Sequence, residues 1–97
     1  MGKYVYLSFV KWSEAGNAMS MDYWNNEWLP KHNEMCEKHK VKLLKWGIPF
    51  GTVEEGLFIY ETDLPLAEYQ LFRNDVTAIS EESLVAYTKT TIVNCPQ

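Results

Sequence analysis

Two histidines and a cysteine on one face of a predicted helix are the residues whose types and spacing are best suited to chemistry. His32, Cys36 and His39 stand at positions i, i+4 and i+7, which places their side chains on the same side of a helix. Imidazole and thiolate are ligands of transition metals, and histidine carries protons near neutral pH. The spacing therefore leaves two uses open, a metal site and acid–base chemistry.

The metal interpretation has little beyond geometry in its favour. The spacing HxxxCxxH is not among the common zinc patterns, no fourth ligand can be identified, and three ligands within two helical turns would leave an open site. A simpler interpretation makes Cys36 a core residue and His39 a residue at the helix end. We predict no metal and no other cofactor.

His32 differs from the other two because aromatic residues precede it on the same face. Trp24 and Trp28 lie two turns and one turn before it, and an apolar cleft with one or two polar groups is the usual form of a small-molecule site. We therefore predict His32 as a catalytic acid–base in a partly solvent-reachable cleft, with a second set of residues as binding positions: Trp24, Trp28, Tyr6, Cys36 and His39. The alternative is that His32 is a hydrogen-bonded core residue. Depending on strand register, the same cleft could also be reached by Tyr4, Trp12, Trp46 and Tyr87.

The helix that carries these residues is predicted over 20–40. One face is predominantly apolar and contains Met21, Trp24, Trp28, His32, Met35, Cys36 and His39, as expected for a helix packed on a core. Ser20 is a suitable N-cap. Pro30 falls on the solvent side, where a kink costs least, although a helix that begins at Asn26 would place Pro30 in the first turn.

The remaining segments predict four strands and one shorter helix. Strands are expected near 3–12, 41–49, 56–62 and 84–93, a helix near 64–74 with Leu64, Ala67, Leu71 and Phe72 on its apolar stripe, a loop over 13–18 and an irregular segment over 76–83. The order β-α-β-β-α-β predicts a single domain over 1–97. Its fold class is α+β, a ferredoxin-like sandwich in which a four-stranded antiparallel sheet carries both helices on one face.

The face of the sheet without helices is expected to be an interface. The first strand is largely apolar on both sides, and we place Leu44 and Trp46 on this uncovered face as well. Pairing two copies through it would bury on the order of 1,600 Å² or more. We therefore predict a homodimer or a higher homo-oligomer.

Composition restricts the class of partner and the compartment. The chain has 97 residues and a net charge of −4, with no basic run, so nucleic acid is not expected. No apolar run reaches the roughly 20 residues that span a bilayer, so no membrane association is expected. Two cysteines do not make a disulfide framework, and we expect them to be reduced in the cytoplasm.

Two stretches carry a resemblance to a known superfamily. The opening KYVYLSFVKWSEAG is similar to the start of GYD-type domains, and DYWNNEWLPKH is similar to a pattern of the EthD-like group. Both groups belong to the dimeric α/β barrels, which the whole chain resembles in element order. The resemblance implies a small-molecule-binding protein, or a cofactor-independent enzyme of the monooxygenase or isomerase kind, that acts on a small aromatic or enolic compound. The alternative is a non-catalytic oligomer that binds a metabolite or serves as an assembly module.

Overall fold

The protein folds as an α+β structure around one antiparallel sheet. The computed structural model describes residues 2–79 and 84–95. The strands are β1 (Tyr4–Trp12), β2 (Lys42–Gly47), β3 (Gly56–Thr62) and β4 (Val85–Asn94), in the sheet order β2-β3-β1-β4 with every pair antiparallel. This order is compatible with the predicted ferredoxin-like fold.

Alternation along the two central strands separates a closed face from an open one. In β1 the side chains of Tyr6, Ser8 and Val10 are buried, and in β3 those of Phe58 and Tyr60 are buried. Since neighbouring side chains of a strand point to opposite faces, the remaining row faces the other way. That second row is only half-buried and consists of Val5, Leu7, Phe9, Leu57 and Ile59.

The long helix, α2, covers the closed face and runs over residues 21–39 without a break. It is α-helical over Met21–Tyr23, π-helical over Trp24–Trp28 and α-helical over Leu29–His39. The Ser20 side chain accepts a hydrogen bond from the Tyr23 N–H at 3.1 Å, which confirms the predicted N-cap. Lys40 ends the helix in the left-handed conformation, with φ 58°.

Pro30 explains the π-helical turn. Proline lacks an N–H, and its ring clashes with the carbonyl four residues earlier in a regular helix. Here that carbonyl belongs to Asn26, inside the wider turn, and the Leu29 N–H donates to the Trp24 carbonyl five residues back. The helix therefore passes Pro30 without stopping, and the alternative start at Asn26 is wrong.

Two local predictions are corrected by the structure. The predicted loop over 13–18 contains a short helix, α1 (Glu14–Ala18), whose N-cap Ser13 accepts from the Gly16 N–H. A β-carbon on Gly16 would lie 2.1 Å from the carbonyl oxygen of Leu84, so the tight packing of α1 requires glycine. The predicted irregular segment begins as helix, since α3 covers Leu66–Thr77, and residues 80–83 lie outside the described part of the chain.

The buried face of α3 differs from the predicted stripe. Its members are Tyr69, Phe72, Arg73 and Val76, spaced i, i+3, i+4 and i+7, whereas Leu71 is exposed. An arginine and a tyrosine occupy places where aliphatic residues were expected. The core between the sheet and the two long helices is consequently rich in aromatic rings, with Tyr6, Phe58, Tyr60, Tyr69 and Phe72 at its centre.

The second strand contains a β-bulge that reverses one prediction. Leu43 pairs with Tyr60, but the next paired residue is Lys45 opposite Ile59, so Leu44 is extra. An extra residue moves each later side chain to the opposite face. Trp46 therefore faces the helices beside Phe58, and its predicted place on the helix-free face is wrong.

Within the part of the chain that the structure describes, no helix has the length and apolarity needed to cross a membrane.

Candidate functional site

All four tryptophans of the chain line one open cleft at the end of the sheet where β1 finishes. Trp12 is the last residue of β1, Trp24 and Trp28 come from the π-helical turn of α2, and Trp46 comes from β2. The cleft has a volume of about 440 Å³. That value lies within the range typical of small-molecule sites.

Contacts between the rings fix the cleft in its open shape. Ring centroids are separated by 5.1 Å for Trp12 and Trp24 and by 5.5 Å for Trp24 and Trp28. On the other side Trp46 stacks on Phe58 at 5.7 Å, and Phe58 also contacts Trp28. Tilted, edge-to-face and stacked arrangements of this kind are favourable aromatic geometries. The walls therefore support one another.

Three local irregularities of the chain bring these rings together. The π-helical turn carries Trp24 and Trp28, and the bulge in β2 turns Trp46 toward them. Gly56 provides the third, because a β-carbon there would lie 2.9 Å from the Trp12 ring. A larger residue at position 56 would push Trp12 out of place.

Two polar side chains, Asn17 and Glu55, stand among the otherwise apolar walls. Glu55 Oε1 accepts a hydrogen bond from the Trp12 N–H at 3.3 Å and lies 3.5 Å from Lys11 Nζ. Glu55 Oε2 has no partner among the described residues. The carboxylate is thus held at the cleft by one of its oxygens while the other stays available.

His32 lies directly beneath the cleft and is fully buried, at 0% exposure. Its ring stacks on Trp28 with centroids 4.8 Å apart, so Trp28 separates it from the cleft. Burial lowers the pKa of His32 to about 4, although the hydrogen bond to Asn33 acts in the opposite direction. The prediction that His32 is partly reachable by solvent is wrong, because Phe58, Tyr60 and Phe72 also surround it.

Hydrogen bonds around His32 fix its tautomer. Asn33 Oδ1 can only accept, so His32 Nδ1, 3.3 Å away, carries the proton of the neutral imidazole. His32 Nε2 then accepts a hydrogen bond from the Tyr60 hydroxyl at 2.7 Å. Burial also raises the pKa of Tyr60 far above its usual range. Asn33, His32 and Tyr60 therefore form a hydrogen-bonded chain, and burial acts with the charge of Arg73 to lower the pKa of His32.

The other predicted binding residues lie away from the cleft. Tyr6 is in the core, where it stacks on Tyr69 at 3.8 Å and donates to the Leu64 carbonyl at 2.7 Å. Cys36 is buried 3.8 Å from His32 Nδ1, and burial raises the pKa of its thiol to about 11. His39 contacts Asp75 at 2.7 Å near the end of α2. Of the predicted site residues, the structure places only Trp24 and Trp28 in the cleft walls.

No three metal-ligating side chains converge within residues 2–79 and 84–95. Cys36 and His32 are neighbours, but His39 points to Asp75 on α3 instead of joining them. The helical spacing alone would have allowed the three side chains to meet, and packing against the second helix separates them.

Sequence reasoning missed Glu55, Asn17, Tyr60 and Arg73. Nothing in the sequence around Glu55 indicates its place, and only the hydrogen bond from the Trp12 N–H shows that it is held at the cleft. Tyr60 could have been found from the alternation of LFIYET, which puts it beside Phe58. Arg73 completes the i, i+3, i+4, i+7 face of α3, a signal hidden by its charge.

No model of a known protein family matches this chain, and no curated protein matches it in sequence. The functional argument therefore depends on the geometry of the site.

Proposed function

We propose that this protein binds a small, largely apolar organic molecule in the cleft lined by its four tryptophans. The observation that carries the proposal is the convergence of all four indoles on one open space of about 440 Å³. Tryptophan is the largest apolar side chain, and each indole left open to water forgoes the stabilisation that burial would give. A protein that uses four in this way gains that stabilisation when a ligand fills the cleft.

The walls favour a flat ligand. Trp46 uses one ring face against Phe58 and is 45% exposed, so its other face is open to stacking. Trp24 and Trp28 meet nearly at right angles, at 71°, and form a corner. An aromatic or enolic compound of one or two rings fits a corner with a stacking wall opposite. This agrees with the ligand class that the superfamily resemblance implies.

Binding is better supported than turnover by His32. Both ring nitrogens of His32 are engaged in hydrogen bonds, and the ring is closed off by Trp28. A cofactor-independent reaction through this residue would require Trp28 to move and the bond to Tyr60 to break. Catalysis by His32 stays a prediction. The use of the protein as an assembly module also stays a prediction, and it gives no reason for four indoles to line one cleft.

We further propose that the protein forms a homodimer through the helix-free face of the sheet. The half-buried row Val5, Leu7, Phe9, Leu57 and Ile59 forms an apolar centre there, and the paired positions place Lys42, Lys45, Glu61 and Lys89 on the same face. An apolar centre with a charged rim is the usual anatomy of a protein interface. Light scattering should give twice the monomer mass at micromolar concentration, and Leu7→Glu should give the monomer mass.

The binding proposal is tested by titration with 2-phenylethanol, a neutral one-ring probe, followed by calorimetry and ligand-observed NMR. We expect saturable binding that Trp24→Leu and Trp46→Leu each weaken by at least fivefold. Phe50→Leu is the control, because Phe50 is 96% exposed and does not line the cleft. Circular dichroism would verify that each variant is folded. Equal binding by all four proteins would refute the cleft as the site.

A further inference from the structure

The charge of the cleft selects among the flat ligands that its walls would accept. Glu55 is the charged side chain among the lining residues of the described structure. Its Oε1 is fixed by the Trp12 N–H and by Lys11, so the carboxylate cannot turn away from the cleft without losing both. The other oxygen, Oε2, is then free to contact a ligand in the cleft.

The aromatic walls favour the same sign of charge as Glu55 does. The face of an indole carries negative electrostatic potential, and tryptophan is the side chain that attracts organic cations most strongly. The Trp12 ring lies against Gly56, the residue after Glu55, and its centroid is 5.1 Å from that of Trp24. A positive group near Glu55 would therefore lie within reach of two indoles as well.

No cation lines the cleft in the described part of the chain, and Lys11, 3.5 Å from Glu55 Oε1, contacts the oxygen that already accepts from the Trp12 N–H. Arg73 adjoins a separate cavity of about 20 Å³ that lies behind Trp12, Trp24 and Trp28. Such a volume holds about one water molecule. An anionic group would reach Arg73 only after the indoles had moved, whereas a cationic group reaches Glu55 in the cleft as it stands.

We propose that the natural ligand is an organic cation, an ammonium group on a flat apolar body, with the ammonium at Glu55 Oε2 and the body between the indoles. This inference rests on the proposed function and specifies its ligand class. The net charge of −4 also favours the approach of cations over anions.

Three probes that share one ring and differ in charge test the inference: 2-phenylethylammonium, 2-phenylethanol and phenylacetate. We expect the ammonium compound to bind about tenfold more tightly than the alcohol, as one cation–π contact and one carboxylate contact would give, and phenylacetate to bind most weakly. In Glu55→Gln the preference for the ammonium compound over the alcohol should shrink to the part that the indoles alone provide, about threefold.

Glu54→Gln is the matched control, because it removes the same charge one position away. Glu54 forms hydrogen bonds with Thr52 and Tyr87 and does not line the cleft, so this variant should keep the preference for the ammonium compound.

Equal affinity of the ammonium compound and the alcohol would overturn the inference and leave the proposed binding function intact. Tightest binding of phenylacetate would overturn it in favour of an anion held by Lys11 or Arg73. A preference that stays tenfold in Glu55→Gln would overturn the role of Glu55. Failure of all three probes to bind would refute the proposed function itself.

Discussion

The helix-covered face of the sheet has two aromatic regions. They are built from similar residues, but one is closely packed and the other surrounds an open cleft. At one end Tyr6, Tyr60, Tyr69 and Phe72 are each exposed by 1% or less. At the other end the four tryptophans leave an open cleft. The tyrosine region closes because its rings lie flat or edge-on against one another, as in the 3.8 Å stack of Tyr6 on Tyr69. The tryptophan region stays open because a wide helical turn, a bulge and a glycine hold its rings around a space.

The contrast teaches that aromatic content alone does not distinguish a core from a binding site. Close-packed rings stabilise the fold by the apolar surface that they bury, whereas rings around a cavity leave apolar surface that a ligand can bury. His32 lies between the two regions, stacked on Trp28 and bonded to Tyr60. Substitutions on either side of His32 should therefore separate stability from binding.

The largest expected effect comes from truncating a ring in the closed region. Phe72→Ala removes a fully buried ring and should lower the free energy of unfolding by about 3–5 kcal/mol. Trp46→Ala removes a larger ring that is 45% exposed and should lower it by less than half as much, while weakening ligand binding. Urea denaturation measures both. Equal losses would show that the open region is as important to folding as the closed one.

A smaller loss of stability is expected at acid pH. It depends on His32, which lies between the two aromatic regions. Because burial lowers the pKa of His32 from 6.5 to about 4, the unfolded chain takes up a proton at a higher pH than the folded protein does. The stability that the neutral imidazole provides is complete above pH 6.5 and is lost as the pH falls through 6.5 toward 4. The full loss is on the order of 3 kcal/mol.

The measurement is urea denaturation between pH 7 and pH 4 for the wild type and for His32→Gln. Glutamine can still accept from Tyr60 and donate to Asn33 but does not titrate, so the variant should lose less stability over this range. Asp75 titrates below this range, because the contacts to His39 and Lys38 hold the pKa of its carboxyl below the usual value of 3.8. Parallel curves for the two proteins would show that His32 is not buried in its neutral form.

Much of the architecture could be predicted from the sequence, because it depends on repeating patterns. The alternation of β3 and the apolar face of α2 are sustained over many residues, and each confines its element to one packing mode. For the same reason Trp24 and Trp28 were identified as neighbours of a cleft. The predicted antiparallel α+β sheet is confirmed.

The rest could not be predicted, because single residues outside the pattern decided it. One extra residue, Leu44, moved Trp46 to the other face of the sheet. Pro30 was seen as a kink, although its consequence was a π-helical turn. The state of His32 depends on Tyr60 and Arg73, which come from distant parts of the chain. Sequence periodicity carries no information about which side chains from different elements meet.

The smallest effect compares two tyrosine hydroxyls within the closed region. The Tyr6 hydroxyl donates to the Leu64 carbonyl at 2.7 Å, so Tyr6→Phe should lower the free energy of unfolding by about 1 kcal/mol. The Tyr69 hydroxyl is buried near that of Ser8, and neither hydroxyl makes a hydrogen bond of normal geometry in the described part of the chain. Tyr69→Phe should therefore leave the stability unchanged or raise it slightly, since it removes a buried polar group that is not satisfied. The two variants share the same 3.8 Å stack, so the difference between their denaturation midpoints isolates the hydroxyl contacts from the packing of the rings. A larger loss for Tyr69→Phe would mean that its hydroxyl has a bound water or another partner, and that the closed region is held by polar contacts as much as by stacking.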